Sequence, residues 1–230
     1  MQLLRKPAST PPRSAAKQPA HQHVYEQLRT RILFGDLAPG QAVTIQGLVE
    51  DLGAGMTPVR EAIRRLTSDG ALKMMGNRRV IVPELTANCI EQLDFMRQSL
   101  EPQLARLAAR HVDDALLDAL KVEDDALNTA ISRGDIPEYL TRNYRFHAVL
   151  NASAKAPILE ATVDRMWLRF GPSLRVVCGR YGTLNLPDKH ADLLDAMNRR
   201  DADGAAKAMA EDVHQGMLQI RAALSSDTSH

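Results

Sequence analysis

The sequence has few cysteines, few aromatic residues and no long apolar run. Its 230 residues contain two cysteines, Cys89 and Cys178, which are far apart and form no CxxC pair. Neither a disulfide framework nor a thiolate metal site is therefore indicated. No stretch approaches the roughly 20 apolar residues that a membrane-spanning helix needs, and the first residues lack the apolar core of a signal peptide. We expect a soluble cytoplasmic protein with no membrane partner.

Common catalytic and nucleotide-binding motifs are also missing. No HExxH, GxSxG, GxGxxG or GxxxxGK[ST] pattern occurs, so the sequence indicates a protein that is not an enzyme. The alternative is a metal-dependent hydrolase that uses a histidine cluster in the C-terminal half. Such an enzyme also needs a placed general base and an open coordination position on the metal.

The charges are distributed unevenly, although the net charge is only +1. Residues 1–86 hold 12 Lys and Arg against 7 Asp and Glu, whereas the remainder holds 17 against 21. A basic first part favours contact with DNA, and an acidic second part suits sensing or dimerisation. Residues 1–19, rich in Pro, Ala, Ser and Lys without apolar periodicity, predict a disordered basic tail, and residues 225–230 predict a second disordered tail.

Residues 20–83 show the order helix, helix, turn, helix, hairpin. The second helix has Thr44 as its N-cap, and Thr57-Pro58 opens the third. Two short β-prone runs then flank Gly76-Asn77, which is a strong hairpin signal. This order predicts a winged helix-turn-helix with a small β-hairpin wing. The first turn of its third helix would present Thr57 and Arg60 to the major groove of double-stranded DNA.

After a predicted linker at 84–90, residues 91–224 are almost wholly helical in pattern. Each predicted helix has one apolar stripe that must find a partner, so the fold class is mainly α with a C-terminal all-α bundle of six or seven helices. Breakers such as Gly134 and Gly182 separate helices predicted near 86–112, 114–133, 136–153, 156–179, 186–199 and 202–224.

The N-terminal region resembles the DNA-binding domain of the GntR family of repressors. The family pattern is G-x-L-x-PG, then L-x-x-x-LG, then TPVREAL-x-x-L-x-x-[DE]-G, and the residues that match it are Gly35, Leu37, Pro39, Gly40, Leu48, Leu52, Gly53, Thr57, Pro58, Val59, Arg60, Glu61, Ala62, Leu66, Asp69 and Gly70. The sequence departs from the family at Gly55-Met56, usually Ser-Arg, and at Arg78-Arg79, usually Arg-Gly at the wing tip. The resemblance implies DNA contacts at Thr57 and Arg60, with Arg64, Arg78 and Arg79 as further candidates.

The C-terminal region resembles the FCD effector domain of the FadR-type branch of that family. The segments that carry this resemblance are MRQSLEPQLARLAA, NYRFHAVL and KHADLLDAMNRRDADGAAKAM. It implies a homodimer and a repressor released from its DNA operator by a small effector, commonly an organic acid. A carboxylate needs a cation or a fork of donors, and the candidates are Arg97, Arg145 and Arg175. Arg97 could instead form a surface pair with Glu101 at i+4.

The same resemblance implies a divalent metal inside the bundle. The family's Asp-x-x-x-His pair is Asn143 and His147 here, and His190 supplies a second imidazole. Both histidines lie on apolar stripes and should face the interior. The last ligand is Asp212 by family spacing or His214 by ligand chemistry, because both flank the core line of the final helix. Zinc is the first candidate, with nickel and manganese as alternatives, and a metal-free polar pocket competes with this interpretation.

Overall fold

The computed structural model describes residues 20–76, 79–181 and 189–225. They form a small α/β part, joined by an extended segment at residues 83–86 to a helical part. The small part contains α1 (Ala20–Leu33), β1 (Ala42–Thr44), α2 (Ile45–Leu52), α3 (Met56–Ser68), β2 (Lys73–Met74) and β3 (Arg79–Ile81). The helical part contains α4 (Ala87–Ala109), α5 (Asp114–Arg133), α6 (Ile136–Ser153), α7 (Pro157–Tyr181), α8 (Lys189–Asn198) and α9 (Ala202–Ser225).

Local signals fix where α2 begins and ends and which face of α3 is buried. The Thr44 side chain accepts a hydrogen bond from the Gly47 N–H at 2.9 Å, which fixes the start of α2. Gly53 ends that helix in the left-handed region at φ 57°, where a glycine avoids the strain of a side chain. Helix α3 then buries an apolar stripe made of Val59, Ala62, Ile63 and Leu66. Its opposite face, with the arginines, is left in solvent.

The small sheet has three antiparallel strands in the order β1, β3, β2. The predicted hairpin is present, because Met74 of β2 pairs with Val80 of β3. The third strand was not predicted: β1 pairs with the other edge of β3, with Thr44 opposite Arg79. The sheet therefore ties the wing to the start of α2. Asn77 and Arg78, at the tip of the predicted hairpin, lie outside the described residues.

The helical part is a bundle in which α4 lies along α9, α5 along α6 and α8 along α9. The mainly α fold class is thus confirmed, with six helices among the described residues of the second part. Helix α4 begins at Ala87, close to the helix predicted near 86–112 but inside the predicted linker at 84–90. Thr86 caps it by accepting a hydrogen bond from the Cys89 N–H at 3.2 Å. The predicted tail at 1–19 lies outside the described residues, as does the tail predicted at 225–230 except for Ser225, which ends α9.

The two parts pack closely through α1 and α7. A Cβ placed on Gly171 of α7 would lie 2.7 Å from the Leu33 carbonyl oxygen, so only glycine permits this approach. Ion pairs flank the contact, including Arg165 with Asp69 at 3.8 Å. Within the described ranges, no helix is long and apolar enough to cross a membrane.

Candidate ligand cavity and DNA-reading face

A cavity of about 180 Å³ lies inside the helical bundle. Apolar and aromatic side chains, such as Phe170 and Leu174, form part of its wall. The remaining wall is polar and includes Asn128, Tyr139 and Gln215. A largely apolar cavity with a few convergent polar groups is the usual form of a small-molecule site.

Three potential metal ligands meet at this cavity. They are His147 of α6, His190 of α8 and Asp212 of α9, and their ligand atoms all lie within 4.8 Å of one another. His147 Nε2 is 3.3 Å from Asp212 Oδ2, and His190 Nε2 is 3.9 Å from Asp212 Oδ1. Asn143, one turn before His147, lines the same cavity. His214 is exposed and lies outside this group, so the geometry favours Asp212 between the two candidates for the last ligand.

Two buried carboxylates lie behind the histidines, and neither was predicted in this role. Asp124 Oδ1 of α5 lies 3.0 Å from His190 Nδ1, and Glu101 Oε2 of α4 lies 3.5 Å from His147 Nδ1 without making a hydrogen bond. Both imidazoles therefore turn Nε2 towards Asp212. Carboxylates in this outer position orient the ligands of many metal sites. The signal in the sequence was an acid on an apolar stripe, since Asp124 lies between Leu120 and Leu127.

The charges in the metal-free site are strongly coupled. Burial lowers the pKa of His147, but its interactions with Asp212 and Glu101 outweigh burial and raise the pKa to about 9. Burial raises the pKa of Asp212, but the hydrogen bond and charge of His147 lower it to about 2. At neutral pH the pair is an imidazolium and a carboxylate. A metal ion binding here must displace the proton on His147.

Of the three arginines predicted to bind an effector, one lines the cavity. Arg97 is buried and pairs with the buried Glu101, at 2.5 Å between Nε and Oε1, which corrects the surface pair considered from sequence. Its guanidinium lies over the Phe170 ring, 4.0 Å from the centroid. Arg145 is exposed and does not line the cavity. Arg175 points to the small α/β part, with Nη1 3.6 Å from Asp36 Oδ1.

A candidate DNA-reading face is formed by α3 and the wing. Thr57 and Arg60 are exposed in the first turns of α3, and Arg79 is exposed on β3. Within the described ranges, Arg60 makes no ion pair. Arg64 is exposed but pairs along the helix with Glu61, at 2.6 Å between Nη2 and Oε1. The predicted contact at Arg78 lies outside the described residues.

A winged helix-turn-helix joined to an all-helical domain with an internal cavity is the architecture of a ligand-responsive transcription regulator. Residues 20–82 match the family described as bacterial regulatory proteins, gntR family, and residues 93–215 match the FCD domain. The chain therefore belongs to the GntR family and carries an FCD domain. Members of these families are DNA-binding regulators and not enzymes, so the hydrolase alternative finds no support.

Related proteins agree with this assignment. The chain is 28% identical over 200 residues to the HTH-type transcriptional regulator McbR of Escherichia coli, covering 84% of this chain and 89% of McbR. It is 25% identical over 221 residues to the E. coli HTH-type transcriptional repressor RspR, covering 89% and 91% of the two chains. The solved structure of E. coli McbR/YncC superposes with a TM-score of 0.84 at 26% identity, over 90% of this chain and 99% of that chain.

Proposed function

We propose that this regulator is a cytoplasmic homodimeric repressor, released from its operator when a small carboxylate binds at a divalent metal in the bundle. The observation that carries the proposal is the convergence of His147, His190 and Asp212 at the cavity. These residues offer two imidazole nitrogens and a carboxylate, a donor set that suits zinc and also accepts nickel or manganese.

The side chains present fit such an ion. Asn143 lines the cavity one turn from His147 and offers a carbonyl oxygen as a fourth ligand. Because this oxygen carries no negative charge, a bound ion keeps more of its positive charge here than it would with two carboxylate ligands. When bound, the ion supplies a positive centre that attracts an anionic ligand. Arg97 contributes less to that attraction, because Glu101 already neutralises it.

Each exposed candidate residue of the DNA-reading face has a proposed role in DNA binding. Thr57 and Arg60 would reach base edges from α3, whereas Arg64 and Arg79 would contact phosphates. Arg78 stays a candidate on sequence alone. The basic residues of 1–19 would add salt-dependent affinity without reading sequence. Two winged domains on a two-fold body predict a short pseudo-palindromic operator.

An exposed apolar patch supports the homodimer. Phe95 on α4 is 74% exposed and Leu218 on α9 is 46% exposed. The two helices lie side by side at this point, because Arg221 of α9 pairs with Asp94 of α4 at 3.2 Å. Large exposed apolar side chains on neighbouring helices are typical of protein interfaces. We assign this patch to the contact with a second copy of the chain.

The metal site is tested by elemental analysis of the purified full-length protein. We expect up to one zinc, nickel or manganese ion per chain, and loss of that ion in the His147→Ala/His190→Ala variant. His214→Ala is the matched control and should keep the metal, because His214 is exposed outside the cluster. Asp212→Asn is a milder second variant, should the double variant unfold. A native protein without metal that gains no thermal stability from added zinc, nickel or manganese would show a metal-free polar pocket instead.

The regulator function is tested by selecting DNA from a random pool with the native protein. We expect an enriched pseudo-palindrome, and release of that DNA by some members of a panel of small carboxylates in the presence of zinc. Selection without an enriched sequence would contradict specific operator binding. Release by neutral analogues as strongly as by carboxylates would contradict the effector class.

A further inference from the structure

The only tryptophan of the chain, Trp167 on α7, lies between two cavities. One is the ligand cavity, where the Trp167 ring centroid is 5.1 Å from that of His147. The other is a cavity of about 90 Å³ between α6 and α7, lined also by Tyr144, Asn151 and Asp164. A side chain with a cavity on two sides has room to shift from one towards the other, unlike a residue in a close-packed core.

Two residues that line the second cavity each have a buried polar atom without a hydrogen-bond partner among the described residues. These atoms are Nε1 of Trp167 and Oδ1 of Asn151, on side chains that are 3% and 4% exposed. An unpaired buried polar group is costly. The indole N–H thus lacks an acceptor where the ring lies, and the second cavity is lined by two side chains that carry oxygen atoms, Asn151 and Asp164.

On the far side of Trp167, the contacts lead directly to the DNA-binding part. The Tyr144 ring packs edge-on against Trp167, with ring centroids 5.4 Å apart, and edge-on against Phe34, at 5.9 Å. The Tyr144 hydroxyl donates to Asp164 at 2.7 Å and accepts from Arg29 Nη2 at 2.9 Å. Arg29 belongs to α1 and also pairs with Asp164. Tyr144 thus joins Trp167 to α1 in a single step.

We propose that Trp167 transmits occupancy of the ligand cavity to α1. A group that fills the cavity displaces the indole towards the second cavity, which moves Tyr144 and weakens the hydrogen bond that its hydroxyl accepts from Arg29 of α1. Trp167 is in this sense a positioning residue, which acts on α1 through Tyr144. The inference rests on the proposed function only in taking the 180 Å³ cavity as the effector site.

The cavity can be filled without knowing the effector. Gly216 of α9 lines it, and a Cβ placed there meets no atom within 4 Å. In Gly216→Leu we expect a shift of the Trp167 fluorescence maximum and at least threefold faster hydrogen exchange of α1. Gly179→Leu is the matched control on an exposed face of α7, and should change neither. Gly216→Met, with a more adaptable side chain, replaces Gly216→Leu if that variant unfolds.

A double-mutant cycle isolates the role of Tyr144. Tyr144→Phe removes the hydroxyl and should itself speed exchange of α1, so that adding Gly216→Leu changes the fluorescence but speeds α1 no further. Arg175→Gln breaks another contact between the two parts, with Asp36, and should leave the response of α1 to Gly216→Leu intact. The inference is overturned if Gly216→Leu leaves Trp167 emission or α1 exchange unchanged, or if its effect on α1 persists in Tyr144→Phe. These readouts need neither DNA nor metal, so they stand even if no operator is found.

Discussion

The DNA-reading face and the ligand cavity use charged residues in opposite ways. The face has its candidates within residues 57–79, all exposed where the structure describes them. The cavity gathers its charges from α4, α5, α6, α8 and α9, and almost all are buried in pairs. An exposed arginine keeps its hydration until a phosphate or base replaces it, whereas a buried charge must find its partner inside the protein. Substitutions on the face should therefore change function alone, and substitutions at the cavity should also change stability.

Removal of one carboxylate from each region should give the largest difference in unfolding free energy. Glu101→Ala leaves Arg97 without its buried counter-charge and removes one of the two carboxylates beside His147, and loss of one partner of a buried pair costs about 3–5 kcal/mol. Glu61→Ala breaks the exposed pair with Arg64, which contributes little because solvent screens it. Urea unfolding of both metal-free variants measures the difference. Equal losses of unfolding free energy would contradict the distinction between the two regions.

The two regions also differ in how much of their structure the sequence could predict. The reading face follows from local signals, because the cap at Thr44, the turn at Gly53 and the apolar stripe of α3 all lie within a short stretch. Strand β1 was missed because three residues are too few to show alternation, and its pairing with β3 joins distant parts of the chain. The ends of a strand or helix that are fixed by pairing or capping with another segment leave little signal in their own short sequence.

The cavity was predictable only in part. His147 and His190 were correctly placed inside, because apolar residues recur around them at helical spacing. The same spacing put Asp212 and His214 symmetrically beside the core line of α9, and only the packing of α9 against α4 and α8 distinguishes them. Arg145 and Arg175 were suggested by charge alone, and the helices that carry them turn them away from the cavity.

The coupled charges of the cavity predict how stability depends on pH. Folding raises the pKa of His147 from 6.5 to about 9, so its contribution is complete below pH 6.5 and is lost as the pH rises through 9. Folding lowers the pKa of Asp212 from 3.8 to about 2, so its contribution is complete above pH 3.8 and is lost as the pH falls through 2. We expect the metal-free protein to lose roughly 1–3 kcal/mol of unfolding free energy between pH 6.5 and 9.

Thermal unfolding with a chelator, across pH 6 to 9, measures this loss. His147→Gln should flatten the dependence, because glutamine does not titrate. Added zinc should stabilise the native protein more at pH 8.5 than at pH 6, since the ion competes with the proton on His147. A native protein whose dependence matches that of His147→Gln would show that His147 is not protonated in the folded state.

On the reading face we expect smaller effects, confined to DNA binding. Arg60→Ala should weaken binding of the selected operator by roughly 1–3 kcal/mol, because Arg60 is exposed in the first turns of α3 and free to reach a base. Arg64→Ala should cost less, since Arg64 gives up its pair with Glu61 when it contacts a phosphate. Neither change should alter the unfolding free energy measurably, because both side chains are exposed.

Titration of labelled operator against each variant, in competition with random DNA, separates base reading from phosphate contact. Loss of a base contact at Arg60 lowers affinity for the operator more than for random DNA, whereas loss of a phosphate contact at Arg64 lowers both equally. Arg145→Ala is the control, because Arg145 is an exposed arginine of the helical part. If Arg60→Ala weakens both DNAs alike, Arg60 binds phosphate, and sequence reading must then come from Thr57 or from the wing.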